Sequence, residues 1–319
     1  MIWYKIKPVD TLFFRGGETM NMGIDHGASS LFPPPISVLY GALRTTILKQ
    51  NEISFEEYYT GRIPNDLLML VGKPEDAKPG FSLIGPIFAK NDDFFIPAPY
   101  MWYKEKSRES EEKMDQHIKV YVSRSIDYEG IKGNKPIRWV KTGEGDPESL
   151  GGKWMKVSDL YSTSHTENIP IFSSSDFYMH ETHTGIARDK AGRVRKGHLY
   201  SFDHIRLVDD VALLIGIDTR LPIESSGIIF IGAEKRFASY KEVDGPEFRD
   251  TATGLYLSLS PIEAHAETNN TVVATGKIQY VGGWDLRIGF HKPMKGYFPA
   301  GSVFSRAVSE QCIELPERK

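Results

Sequence analysis

Apolar runs of strand length, each cut short by glycine, proline or aspartate, set the strongest limit on how this chain folds. IWYKIKPV, FSLIGPIFAK, DDFFIPAP, VALLIGID, GIIFIG, FASYKEV, GLYLSLSPI and VVATGKIQYVGGWDL are spread from Ile2 to Leu286. They read as strands, and they do not alternate with long amphipathic helices. None is followed by GxGxxG or by a phosphate-binding GxxxxGK(S/T), which disfavours doubly wound nucleotide-binding folds. In the first run Ile2, Tyr4 and Ile6 fall on one side and Trp3 and Lys5 on the other. One helix is clear. ISVLYGALRTTILKQ follows Pro33, Pro34 and Pro35 and places Leu39, Ala42, Leu43 and Ile47 on one stripe, with Tyr40 and Arg44 off it.

The length of 319 residues suits about two domains with cores of their own. No apolar stretch of about 18 residues is present, and MIWYKIKPVD lacks the regions of a signal peptide, so the expectation is a cytoplasmic protein with no membrane contact. A single cysteine, Cys312, excludes an internal disulfide framework and a cysteine-rich zinc site. The net charge of −3 argues against coating nucleic acid by charge alone. Any RNA site is therefore local.

Two proline- and glycine-rich segments offer such sites, Asp10 to Leu48 and Gly282 to Phe304. Glycine lets the main chain approach a sugar or phosphate closely, proline fixes the approach, and a helix start presents unpaired N–H groups to an anion. In the first segment Arg15 has a donor fork suited to phosphate, and Gly23, His26, Ser29 and Ser30 precede the helix. The same glycines could serve only as structural turns. His26, with Tyr40 and Arg44 as neighbours, could alternatively be the base of a metal-independent endoribonuclease that deprotonates a 2′-hydroxyl. In the last segment Lys292, Lys295 and His291 suit phosphates, and Trp284 or Tyr297 could stack on a base; Trp284 could equally anchor a core.

Between them lies the most hairpin-like stretch, SDFYMHETHTGIA and HLYSFDHIRLV joined by RDKAGRVRKG. Its turn carries five cations, Arg188, Lys190, Arg193, Arg195 and Lys196, against Asp189. Charge of this kind also simply keeps an exposed turn soluble. His180, Glu181 and His183 form H-E-x-H, which is not the helical H-E-x-x-H of a zinc site, and on a strand the two histidines face opposite ways. No metal or other cofactor is expected. Lys104 to Gln116 is a charge run with little periodicity, and Tyr103 to Ile171 reads as an insertion on a core fold, anchored by a strand around Ile137, Trp139 and Val140.

Asp10, Leu12, Arg15, the proline run, Gly41, Ala42, Arg44, Gly185, Ile186, Leu199, Tyr200, Trp284, Asp285, Lys292, Pro293, Pro299, Gly301, Ser302 and Val303 occur in an order that resembles the third-subunit family of the Cmr complex, the type III-B CRISPR effector. Members are RAMP proteins of the five-group. The resemblance implies an α+β chain of two ferredoxin-like, RNA-recognition-type domains. Residues 1–206 would form the first, with the insertion at about 103–171 and a β-hairpin thumb at about 176–206, and 207–319 the second. It also implies a non-catalytic subunit that binds the 5′ tag of the guide CRISPR RNA and meets target RNA only indirectly. The large polymerase-type subunit and the backbone RAMP subunit would be its protein partners. Arg15, Gly23, His26, Ser29, Ser30, Tyr40, Arg44, Ile186, Arg188, Arg193, Lys196, Trp284, Lys292 and Lys295 are the RNA-binding candidates.

Overall fold

A computed structural model describes residues 1–16, 27–106, 117–126, 136–162, 168–285 and 290–316. The chain is α+β, with many short strands and few helices. Its contacts divide it into two units, each built from separated stretches. The first comprises Met1–Asn91, Phe177–Gly245 and Gln279–Tyr297; the second comprises Asp92–Asp176, Pro246–Ile278 and Phe298–Lys319.

The first unit is built about the strand Ile2–Pro8, which pairs antiparallel with Val211–Ile217 on one side and Phe237–Val243 on the other. Leu83–Lys90 continues the sheet beyond Val211–Ile217, and Ser226–Phe230 continues it beyond Phe237–Val243. Every residue of Val211–Ile217 is buried, as an unbroken apolar run requires. Trp3 is buried as well, because it lies over Gly245, where any Cβ would sit 2.2 Å from the indole.

The expected helix forms as α1, Ile36–Gln50, and buries Leu39, Ala42, Leu43 and Ile47. Leu43 and Thr46 meet Tyr4, Ile6, Ile229 and Tyr240 of the sheet around one small void. The buried stripe is wider than the spacing of three and four predicts. Tyr40 is 2 % exposed and packs edge-on to Phe81 with ring centroids 5.8 Å apart. Two further helices follow, α2 (Phe55–Tyr59) and α3 (Asn65–Val71). α2 starts in a capping box: the Ser54 hydroxyl accepts from the Glu57 N–H and the Glu57 carboxylate accepts from the Ser54 N–H. α3 ends at Gly72, and there Arg44 acts as its cap. Arg44 Nε donates to the Val71 carbonyl at 2.6 Å and Nη1 to the Asp76 carbonyl at 3.0 Å. A guanidinium suits this place because the last carbonyls of a helix lack partners and carry partial negative charge.

The long hairpin consists of an outgoing strand, Tyr178–Arg188, and a returning strand, Val194–Leu207. Tyr178 stands opposite Leu207 and Ile186 opposite Leu199. The free edge of the returning strand is taken up by the first proline- and glycine-rich segment. Leu12 and Ile205 exchange both backbone hydrogen bonds at 2.8 Å, and Gly27–Ala28 runs parallel beside Ser201 and Phe202. Beneath this joint lies an aromatic cluster. Phe32 contacts Phe14, Phe88 and Tyr178, and Phe88 stacks on Phe177 with centroids 4.6 Å apart.

A polar network ties the hairpin root to the sheet. Arg206 pairs with Glu181 and, at 3.1 Å, with Asp10; Asp10 also pairs with Arg236 at 3.0 Å. His183 Nε2 lies 2.7 Å from Glu181, and its ring stacks on that of His204 at 4.0 Å. His204 in turn meets the Thr11 hydroxyl at 3.1 Å and Glu234 at 3.5 Å. Hydrogen bonds from Arg206, then from His183, hold the Glu181 carboxyl down at about 2. Burial, then the neighbouring His183, lowers His204 below the ordinary histidine value.

The second unit holds most of the insertion. Trp154–Lys156 pairs with Asp93–Pro97, and Trp102–Glu105 pairs with both Pro147–Ser149 and Tyr121–Val122. Arg124–Ile126 pairs with Ile137–Trp139, the anchoring strand expected there. Tyr256–Ser258 lies between Val303–Phe304 and Cys312–Glu314. Ile262, Phe298 and Phe304 form a core against which Cys312 packs, and burial pushes its thiol up. No described helix is long and apolar enough to cross a membrane.

Two outcomes follow from these contacts. Arg44→Ala removes a cap and two charge-assisted hydrogen bonds, so it should cost about 1.5–3 kcal/mol of unfolding free energy in denaturant titrations. The second concerns pH. The depressed value of His204 means the unfolded chain binds more protons once pH drops below about 6.5, so stability is complete above that value and falls beneath it. The melting temperature should therefore decline from pH 7.5 to 5.5, with a shallower decline in His204→Gln; equal slopes would assign the effect elsewhere.

Candidate nucleic-acid interface

The hairpin turn is shorter than its sequence suggests. Instead of ten residues it occupies Asp189 to Arg193: the Gly192 N–H donates to the Asp189 carbonyl at 3.0 Å, and the Asp189 N–H to the Arg193 carbonyl at 2.8 Å. Gly192 takes φ 79°, and the Asp189 carboxylate accepts from the N–H groups of Ala191 and Arg193, both at 2.9 Å. Aspartate at the first position and glycine at the fourth suit a type I turn closed by a left-handed residue. Lys196 therefore belongs to the returning strand and not to the turn; its side chain lies outside the description.

Arg188, Lys190, Arg193 and Arg195 are exposed around this tip. Arg193 lies 3.3 Å from Asp189 but is 82 % exposed, and ion pairs in that setting contribute about 0–1 kcal/mol. A phosphate can displace such a pair at little cost.

The two hairpin faces differ. On one face the Tyr200 ring covers Gly185, where a Cβ would lie 2.3 Å from the ring. From Tyr200 an aromatic row continues to Phe202 at 4.9 Å, to Phe13 at 5.2 Å, and on to His204 at 5.2 Å. The other face carries Ile186 and Leu199 in direct opposition, 39 % and 56 % exposed. An exposed apolar pair beside a cationic tip can press against a base while the cations meet the backbone. His180 and His183 lie on opposite faces of their strand, as expected. Among the described residues no group of three or more His, Cys, Asp or Glu could hold a metal.

The first segment reaches the same sheet. Arg15 is half-buried and forms a backbone bridge with Ser30. Ser29 is exposed next to Gly27–Ala28. The Ser30 hydroxyl accepts from the Phe14 N–H at 3.2 Å, which holds the segment closed. Gly23 and His26 lie outside the described residues. Two candidates on α1 are corrected. Tyr40 is buried against Phe81, and Arg44 is committed to the end of α3, so neither presents its polar group to a ligand.

The last segment divides between the units. In the first unit Gln279–Val281 pairs with Lys295–Tyr297, and Lys292 and Lys295 are exposed. The Lys292 N–H donates to the Gly283 carbonyl at 2.9 Å. Trp284 stands opposite His291 in a two-residue pairing, and its side chain lies outside the description. In the second unit Pro299–Val303 is structural. The Ser302 hydroxyl donates to the Pro299 carbonyl at 2.7 Å, and Gly301 adopts φ 91° where a Cβ would lie 2.6 Å from the Ala98 carbonyl.

Of the hairpin cations named from the sequence, Arg188, Lys190, Arg193 and Arg195 lie exposed at the tip, whereas the aromatic row was not named from it. Phe13 and Phe202 were missed, although Tyr200, Phe202 and His204 at alternate positions of one strand carry a readable period of two.

The family model described as CRISPR-associated protein (Cas_Cmr3) matches residues 4–255. No curated protein matches the chain. A chain of a type III-B Cmr-beta structure, solved by cryo-EM with cognate target RNA and AMPPnP, shares 18 % identity at a TM-score of 0.54, over 95 % of this chain and 85 % of that one. A chain of Cmr-beta bound to cognate target RNA shares 19 % identity at a TM-score of 0.53, over 95 % of this chain and 86 % of its own. At such identities the likeness is one of fold. The match over residues 4–255, more than half of the chain, carries the assignment: this protein belongs to the Cas_Cmr3 family of CRISPR-associated proteins.

Proposed function

We propose that this protein is a non-catalytic subunit of a type III-B CRISPR effector that holds the 5′ tag of the guide RNA. In this reading it also links the large polymerase-type subunit to the backbone RAMP subunit, contacts target RNA only indirectly, and works in the cytoplasm. One observation carries the reading. The returning hairpin strand is shared, bonded to the outgoing strand on one edge and to the first glycine- and proline-rich segment on the other. Gly27–Ala28, next to Ser29, joins the hairpin sheet, and Arg15 is bridged to Ser30 beside it, so that backbone donors, cations and the exposed Ile186–Leu199 pair can act on one stretch of RNA.

Family membership and fold likeness to Cmr-beta chains support the same reading. So does the strand order of the first unit. Ile2–Pro8 lies between Val211–Ile217 and Phe237–Val243, α1 follows the first strand, and Leu83–Lys90 lies outermost beside Val211–Ile217. A ferredoxin-like unit has that order, with Ser226–Phe230 standing here where its second helix would be. In the reading adopted here this unit, drawn from both sides of residue 206, is one ferredoxin-like domain and the hairpin is its thumb. The endoribonuclease alternative loses its supports on α1, because Tyr40 and Arg44 serve packing and capping.

Binding of a tag-length single-stranded RNA should weaken with salt, by about 0.7 log units per log of salt for each phosphate neutralised. Arg188→Ala combined with Arg193→Ala should lower that slope by about 1.4 and leave the melting temperature unchanged; an unaltered slope removes the tip from the site. Arg15→Ala should lose on the order of 1.5–3 kcal/mol of tag affinity. If its loss of thermal stability matches its loss of binding, Arg15 is structural instead.

A further inference from the structure

The insertion contains an open cavity of about 1030 Å³ that none of the hairpin chemistry uses. It lies wholly within the second unit, walled by Tyr100, Tyr103, Arg138, Trp139 and Lys141, and by the backbone of Val273–Gly276. Among the described residues its lining includes two cations and no carboxylate.

Three features give this cavity a preference. Trp139 is 62 % exposed on the strand Ile137–Trp139, although an indole gains most from burial. Arg138 beside it is half-buried. Its Nε donates to the Ser123 hydroxyl at 3.3 Å and its Nη2 to the Ser123 carbonyl, and among the described residues it forms no ion pair. Burial lowers its proton affinity, with the Tyr103 phenol close by. A guanidinium held away from water without a carboxylate is costly until an anion arrives. Thirdly, glycine shapes the wall: a Cβ at Gly276 would lie 2.5 Å from the Tyr100 ring. Glu105 lies against Gly143 at the rim and accepts from the Tyr121 hydroxyl at 3.2 Å.

We propose that this cavity is a second, independent RNA site, taking a single-stranded segment with one base stacked on Trp139 and adjoining phosphates on Arg138 and Lys141. An exposed π-face beside cations that form no ion pair among the described residues is the combination that binds single strands without regard to sequence. The cavity is at the upper end of ligand-cleft sizes and open, which suits a strand passing through more than a small molecule enclosed.

The test uses the full chain with a short single-stranded oligoribonucleotide containing 4-thiouridine, crosslinked by ultraviolet light and mapped by peptide mass spectrometry. A crosslink within residues 136–143 is expected in the wild type and in Arg188→Ala/Arg193→Ala. Trp139→Ala should reduce its yield at limiting RNA by about tenfold, from the loss of one stacked base, and Arg138→Gln should reduce it too. Both side chains can be changed with melting curves as the check on folding. No crosslink in this segment of the folded wild type, or an undiminished one in Trp139→Ala, overturns the second site. Crosslinks at the hairpin alone would leave the proposed function standing, and crosslinks here alone would do the reverse.

Discussion

The pairing of Leu12 with Ile205 is the joint on which the first unit depends. Two backbone hydrogen bonds of 2.8 Å fasten a proline- and glycine-rich segment to a strand nearly two hundred residues away in sequence. Without it the root of the returning strand would be an edge beyond the Gly27–Ala28 pairing, and an isolated two-stranded hairpin is marginal in water. Hydrogen bonds alone would not hold such a distant contact, since each contributes only about 1 kcal/mol net. The cluster of Phe14, Phe32, Phe88, Phe177 and Tyr178 adds the apolar burial that does. One joint therefore fixes both the hairpin root and the segment that carries Arg15.

Much of this was legible because strand and helix periods are local. The strands Ile2–Pro8, Leu83–Lys90, Asp93–Pro97 and Phe237–Val243 lie where alternation or an unbroken apolar run places them, and α1 starts directly after the proline run. What was not legible is tertiary. Tyr40 stands off the α1 stripe, yet it is buried because Phe81 supplies a second packing surface. Arg44 looks like an available cation, yet the orphan carbonyl it satisfies belongs to a helix ending 27 residues later. Other misses left a usable trace. Ser54 and Glu57 spell the capping box of α2, and Asp189 with Gly192 spells a tight turn amid cations that drew attention from it.

The same limit applies to the candidate interface. Position along the chain singles out Arg15 and the hairpin cations as candidates, but only strand pairing shows that the segment carrying Arg15 joins the hairpin sheet through Gly27–Ala28. The aromatic row from Tyr200 to His204 needs Phe13, from the opposite end of the chain, to be continuous. Conversely, Pro299, Gly301 and Ser302 look like a binding loop and prove to be a packed turn, because glycine and proline serve close approach to the protein's own backbone as readily as to a ligand's.

Charge is distributed to the same end. At the hairpin root, Asp10, Glu181 and Glu234 are paired with Arg206 and Arg236, and the stacked rings of His183 and His204 accept and donate within the same network. At the tip, Arg188, Lys190, Arg193 and Arg195 face Asp189 alone, and the aspartate is already occupied in closing the turn. Root charges are spent on each other, whereas tip charges keep their field in solvent, where it acts over roughly a Debye length of about 8–10 Å. A chain of net charge −3 can thus attract phosphate at one end of a hairpin while repelling it from most of its surface.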